Sequence, residues 1–231
     1  MEKVPISFTQ INTFNICPIR YTIKYVFHKQ EPRNPFLVAG QMLHNAIVTM
    51  RDIGFQETLK CYVENYDYWW EKVDIKTITE KEFIDLFSSM LTEVAATATY
   101  YFEDEVWLER EFQREYKGET LIGRVDYLSN NLLLDFKFKK NFNYLKPEQL
   151  DFYRYLSDFD GKTAFLVWTW KKENKLIPFE KSVNIEDYID DFLERKDKDR
   201  TPNLESCKFC PFVTICQTTK EEGYDEIEDV P

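Results

Sequence analysis

"ETLIGRVDYLSNNLLLDFKFKK", residues 119–140, reads as two strands joined by a tight turn at Ser129-Asn130-Asn131, where asparagine tolerates left-handed backbone angles. Side chains alternate across a strand. In the second half Leu133, Asp135, Lys137 and Lys139 therefore share one face, while Leu132, Leu134, Phe136 and Phe138 take the other. A carboxylate and an ammonium thus stand side by side, about 6–7 Å apart along the strand. In the first half Asp126 shares a face with Ile122, Arg124 and Leu128. If the hairpin register sets Asp126 beside Asp135, two carboxylates meet, which is costly unless a cation neutralises them. Oxygen ligands of that kind suit Mg²⁺ or Mn²⁺, and with Lys137 beside them the chemistry is phosphodiester hydrolysis. A cross-strand salt-bridge network on a half-exposed sheet is the competing reading of the same spacing.

Working outward, "VWLEREFQREY" (106–116) is a strand ahead of this hairpin, and its Glu111 and Glu115 are candidates for a further acidic group. "KPEQLDFYRYLSDF" (146–159) has helical spacing and turns Gln149 and Tyr153 the same way. "TAFLVWTW" (163–170) is a buried strand, and "NIEDYIDDFLERKDK" (184–198) is a last helix. Upstream, Ser7 with Gln10 fits a capping box opening a short helix that Cys17-Pro18 ends. "PFLVAGQMLHNAIVTMRD" (35–52) is a second helix, on which His44 shares a face with Gly40, Ile47, Val48 and Arg51. A lone helical histidine is commonly structural, yet His44 also suits a third metal ligand.

Residues 52–105 look helical and insertional. Thr79 with Glu82 caps a helix whose stripe runs through Phe83, Phe87, Met90, Leu91, Val94, Ala98 and Tyr101. The cluster "YDYWW" (66–70) suits packing, with base stacking as the alternative. The order helix, three strands, helix, strand, helix implies an α/β core with a mixed sheet and helices on its faces.

The chain's 231 residues can bury a sizeable core. No apolar run approaches a membrane span and the N-terminus lacks a signal core, so a soluble cytoplasmic protein is expected, or one of the host cytoplasm if the source is viral. The formal net charge of -11 argues against nucleic-acid binding until its distribution is read. Residues 221–231 form an acidic, expectedly disordered tail, whereas residues 136–146 carry Lys137, Lys139, Lys140 and Lys146 and no acid. Those lysines are a local basic patch or a solvated face. An odd count of 5 cysteines in an intracellular chain points away from disulfides and toward metal or cluster ligation. Cys61 stands apart as a small hydrophobe; Cys207, Cys210 and Cys216 crowd into "SCKFCPFVTIC" (206–216). Soft thiolates suit zinc or an iron-sulfur cluster alike.

Taken in order, "SFTQINTFNICP", "GQMLH", "GRVD", "DFK", "QLDFY" and "CKFCPFVTIC" resemble the motifs of the PD-(D/E)XK nuclease superfamily. They are most similar to its RecB-like iron-sulfur branch, which includes CRISPR-associated exonucleases and AddB-type subunits. The resemblance implies a restriction-endonuclease-like core as a single domain over residues 1–220, with 52–105 as an insertion. It implies a divalent metal on His44, Asp126, Asp135 and the Phe136 carbonyl, with Lys137 as catalytic lysine. Gln149 and Tyr153 would support the site and contact DNA. Cys17, Cys207, Cys210 and Cys216 would hold a [4Fe-4S] cluster that joins the chain's two ends as a staple. The implied activity is a Mg²⁺- or Mn²⁺-dependent exonuclease on single-stranded DNA or duplex ends, with endonuclease activity as an addition. Its setting would be CRISPR spacer acquisition, with protein partners there, or recombination, repair or replication. A non-catalytic cluster- or zinc-bearing DNA-binding scaffold is the alternative.

Overall fold

The computed structural model describes residues 4–98 and 106–216. The acidic tail and Tyr101, the last member of the expected stripe, lie outside the described residues. In chain order the elements begin with β1 (Ile6–Ser7), α1 (Phe8–Ile16), α2 (Pro18–Tyr21) and a π turn at Thr22–Val26. Helices α3 (Pro35–Ile53), α4 (Phe55–Glu64), α5 (Tyr66–Trp70) and α6 (Glu80–Ala98) follow. Then come β2 (Trp107–Tyr116), β3 (Glu119–Leu128), β4 (Leu132–Lys139), α7 (Pro147–Ser157), β5 (Lys162–Thr169), β6 (Asn174–Phe179), α8 (Ile185–Arg195) and a 3₁₀ turn at Leu204–Phe209. These fall into two compact units, one holding Arg33–Ile185 and the other holding Ile6–Pro32 with the residues from Glu186 onward.

In the larger unit, strands run in the order β2-β3-β4-β5-β6. Only β4 and β5 are parallel, from Leu132 opposite Lys162 to Lys139 opposite Thr169; the other neighbours are antiparallel. The sheet is mixed, as expected. β2 and β3 are joined at Lys117-Gly118, whose φ angles of 49° and 80° are those a two-residue hairpin turn requires. The β3–β4 turn also forms, but without the left-handed asparagine expected there. Ser129 closes it instead, its N–H donating to Leu132 O (2.9 Å) and its Oγ accepting from Leu132 N (3.2 Å).

The alternation along β4 holds. Leu134 and Phe136 are buried with Leu132 and Phe138 against them, in a core shared with Tyr127, Ala164, Leu166, Trp168 and the apolar faces of α3 and α6. The aromatic cluster of α5 serves that packing. Trp70 lies 5.3 Å from Phe83 between ring centroids, and Trp69 stacks on Tyr62, which stacks in turn on Phe87. Strand β6 departs from expectation. Its pattern is mostly exposed and contains Pro178, which cannot donate to a ladder and is tolerated at an edge.

In the smaller unit both halves of the Ser7–Gln10 capping box form, at 2.6 and 3.4 Å. Cys17 is extended (φ −164°) because Pro18 disfavours the helical region for the residue before it. Phe14 packs edge-on against Tyr21 and Phe192. Asn203 Nδ2 donates to Ile16 O at 2.9 Å, tying the segment before the clustered cysteines to the end of α1.

Candidate active site

The ladder between β3 and β4 holds two pairs, Tyr127 with Leu134 and Leu128 with Leu133. Counting on one position sets Asp126 in line with Asp135, the juxtaposition that makes a cation valuable. The ladder stops there, and the Asp126 side chain takes over: its Oδ2 accepts the Phe136 N–H at 2.5 Å. Phe136 thus enters the site through its amide. Helix α3 brings His44 Nδ1 to 3.6 Å from Asp126 Oδ1 and 3.3 Å from Glu109 Oε1. His44 is steadied edge-on by Phe138, at 5.3 Å between ring centroids.

Glu109 is the acid of β2, in place of Glu111 or Glu115. The β2–β3 register pairs Leu108 with Tyr127 and Arg110 with Val125, so Glu109 falls opposite Asp126. At that point Glu109 adopts φ 51°, a left-handed conformation costing a side-chain-bearing residue roughly 1–3 kcal/mol. Glu111 and Glu115 are exposed and take hydrogen bonds from Gln113 and Thr120. Cross-strand register was the signal for Glu109, and it is invisible until the hairpin is aligned.

Asp135, 1% exposed, turns toward α7. Lys137 Nζ lies 2.5 Å from its Oδ2, which among the described residues takes no other polar partner. Gln149 joins the set. Its Oε1 accepts from Lys137 Nζ (3.0 Å), while its Nε2 donates to Asp135 Oδ1 (2.8 Å) and Tyr153 Oη (2.9 Å). Both amide hydrogens and the carbonyl are thus used within the protein, linking Lys137, Asp135 and Tyr153. Gly123 lets α7 come this close, since a Cβ there would meet Leu156 Cδ1 at 2.6 Å and the Tyr153 ring at 3.1 Å.

Electrostatics follow from burial. Removal from water, with Asp135 and Glu109 nearby, pushes the Asp126 carboxyl up to about 7 against the opposing pull of His44. Burial works against a charged His44, yet the carboxylates of Asp126, Glu109 and Asp135 outweigh it and raise its pKa. Burial and the same carboxylates raise the Tyr153 phenol well above its ordinary value, so it stays a neutral hydroxyl. A site that holds acids together at this cost gains from a cation. Ligand atoms of His44, Glu109 and Asp126 lie within 4.8 Å of one another, and two carboxylates with one imidazole suit a divalent ion such as Mn²⁺ or Mg²⁺. The expected ligand set therefore divides: His44 and Asp126 converge with Glu109, while Asp135 is engaged by Lys137 and Gln149.

The cysteines behave differently. Cys17 is buried, and Cys207, Cys210 and Cys216 are half-buried. Among the described residues no three of their sulfurs lie within 4.8 Å of one another. A tetrahedral zinc with Zn–S bonds of about 2.3 Å needs sulfurs about 3.8 Å apart, so the thiols are not set for zinc, whereas a [4Fe-4S] cluster binds each thiolate to a different iron and spaces them more widely than this distance tests. Among the described residues no helix is long and apolar enough to cross a membrane.

Residues 5–217 match the family described as the PD-(D/E)XK nuclease superfamily. No curated protein matches. Among solved structures, a candidate exonuclease from Eubacterium rectale aligns with TM-score 0.57 at 11% identity, over 98% of this chain and 90% of its own. The protein SSO0001 aligns with TM-score 0.50 at 13% identity, over 94% and 88%. At such identities the likeness is one of fold.

Proposed function

The chain belongs to the PD-(D/E)XK nuclease superfamily, and from that premise we propose that it is a metal-dependent DNA exonuclease acting on single strands or DNA ends. The observation that carries this is the convergence of His44, Glu109 and Asp126 beside an Asp135–Lys137 pair in one buried corner of the sheet. His44, Glu109 and Asp126 would hold the Mg²⁺ or Mn²⁺, with Asp135 and the Phe136 carbonyl as the further ligands the family pattern suggests. When bound, the ion neutralises the carboxylates and supplies Lewis-acid stabilisation to a phosphodiester.

The chain's own residues do the rest. Phe136 N–H fixes the Asp126 carboxylate, so its second oxygen faces His44. Lys137 keeps an ammonium beside the acids, where negative charge grows in phosphoryl transfer. Gln149 sets the angle between Lys137 and Asp135, and Tyr153 holds Gln149. A scaffold that only binds DNA has no need of this convergence, which favours the enzyme over the non-catalytic alternative. The same chemistry serves CRISPR spacer acquisition or recombination, repair and replication.

Digestion of end-labelled DNA with Mg²⁺ or Mn²⁺ tests the reading; Lys137→Ala purified alongside must lose it, and undiminished digestion would remove Lys137 from the mechanism. Membership in the iron-sulfur branch is part of the proposal, supported by the cysteine spacing and by the Asn203–Ile16 tether. Anaerobically purified protein should then be brown and contain iron, and a colourless, iron-free preparation refutes it.

A further inference from the structure

The segment between β4 and α7, residues 140–146, is anchored at one end by the strand bearing Lys137 and at the other by the helix bearing Gln149. It is therefore the rim of the candidate active site. Tyr144 in this segment is 86% exposed. It adopts φ 58°, a conformation that disfavours a bulky side chain and persists only where neighbours impose it. Lys139 imposes it: its Nζ donates to the carbonyls of Tyr144 (2.7 Å) and Asn143 (3.2 Å), while Asn141 Oδ1 accepts the Asn143 N–H (3.1 Å). A half-buried ammonium is thus used to hold an aromatic ring out in water, where it gains nothing from the fold. Lys140 and Lys146 are exposed on either side, and no acid lies between Asp135 and Glu148.

Resting on the nuclease reading above, we propose that Tyr144 is a stacking platform for an unpaired nucleobase of the strand entering the site, with Lys140 and Lys146 on its phosphates. Every base presents a π-face, so such a contact takes single strands without sequence preference, and lysines supply the backbone attraction. Paired bases inside a duplex are not free to stack on the ring. The geometry therefore points to single-stranded nucleic acid, or to a frayed end, as the substrate form.

The test uses the full chain in EDTA, so that nothing is cut, and reads fluorescence anisotropy of a labelled single-stranded DNA. Tyr144→Ala should bind it roughly 5- to 150-fold more weakly, the range a single base–aromatic stack supplies, and Tyr144→Phe should bind like wild type. On an all-abasic strand of equal length wild type and Tyr144→Ala should be equal, since only the phosphates remain. Unchanged binding by Tyr144→Ala, or an equal loss on the abasic strand, overturns the inference. Wild-type digestion with Mn²⁺ in parallel separates the two claims. If wild type cuts DNA while Tyr144→Ala binds unchanged, only the stacking role falls; if wild type neither binds nor cuts, both fall.

Discussion

Asp126→Asn replaces one oxygen by NH₂ at the centre of the proposed site and should separate stability from activity. The amide oxygen can still accept the Phe136 N–H, so the local backbone is kept. What disappears is a buried charge whose pKa is raised from 3.8 to about 7. Because the folded value is the higher one, the stabilisation is fully present below the unfolded value and is lost as pH rises through about 7. In metal-free protein the wild-type carboxylate therefore costs about 2 kcal/mol near pH 5 and about 4 kcal/mol near pH 8, while the amide costs neither. The pull of His44 is already contained in the value of about 7; the variant additionally takes from His44 the carboxylate that favours its charged form, so these figures are ceilings. For a chain of this size the gain corresponds to a melting temperature higher by up to about 10 °C near pH 8, with a smaller rise near pH 5. Mn²⁺ should then raise the melting temperature of wild type and leave Asp126→Asn unmoved, since only a ligand that binds the native state stabilises it. Thermal unfolding at both pH values, with EDTA or Mn²⁺, is the assay. A variant less stable than wild type at both pH values without metal, yet still stabilised by Mn²⁺, refutes the reasoning.

Lys137→Met leaves Asp135 buried without its cation, and breaking such a pair should destabilise the protein by about 3–5 kcal/mol in urea unfolding, together with loss of digestion. Glu109→Gly should change stability by no more than about 1 kcal/mol, because glycine accepts the left-handed backbone. Calorimetric Mn²⁺ affinity should nonetheless fall by more than the roughly 10- to 100-fold typical of supporting residues, for Glu109→Gly and Glu109→Gln alike. Gly123→Ala pushes a methyl into Leu156 and Tyr153, so it should cost about 1–3 kcal/mol and lower cleavage by shifting Gln149 on α7.

The parts of the fold legible in the sequence are those set by short-range physics. Period-two alternation gave the two faces of β4, and the Ser7–Gln10 and Thr79–Glu82 boxes marked helix starts that the structure contains. The alignment of Asp126 with Asp135 could be posed from sequence as a condition on register, and the hairpin meets it. Glu109 was hidden because its place opposite Asp126 depends on a second register and on a backbone angle that alternation does not foresee. Strand β6 was hidden by Pro178 and an exposed pattern, which a sheet edge tolerates and a central strand does not. The expected left-handed asparagine failed because a serine hydroxyl closed the turn. For the cysteines, sequence spacing fixes the order of ligands but leaves the meeting of Cys17 with Cys207, Cys210 and Cys216 to packing, and among the described residues no three of their sulfurs come within the 4.8 Å that one shared ion requires.

In the proposed reading His44, Glu109 and Asp126 form a divalent-metal centre that serves phosphodiester hydrolysis with Lys137. Digestion of 5′- and 3′-labelled single strands by wild type, by Glu109→Gln and by Lys137→Ala, each with Mn²⁺ and with EDTA, tests it most directly. Progressive shortening is expected from wild type with Mn²⁺ only, and none from either variant. Cleavage that survives EDTA, or that Glu109→Gln retains in full, would contradict it.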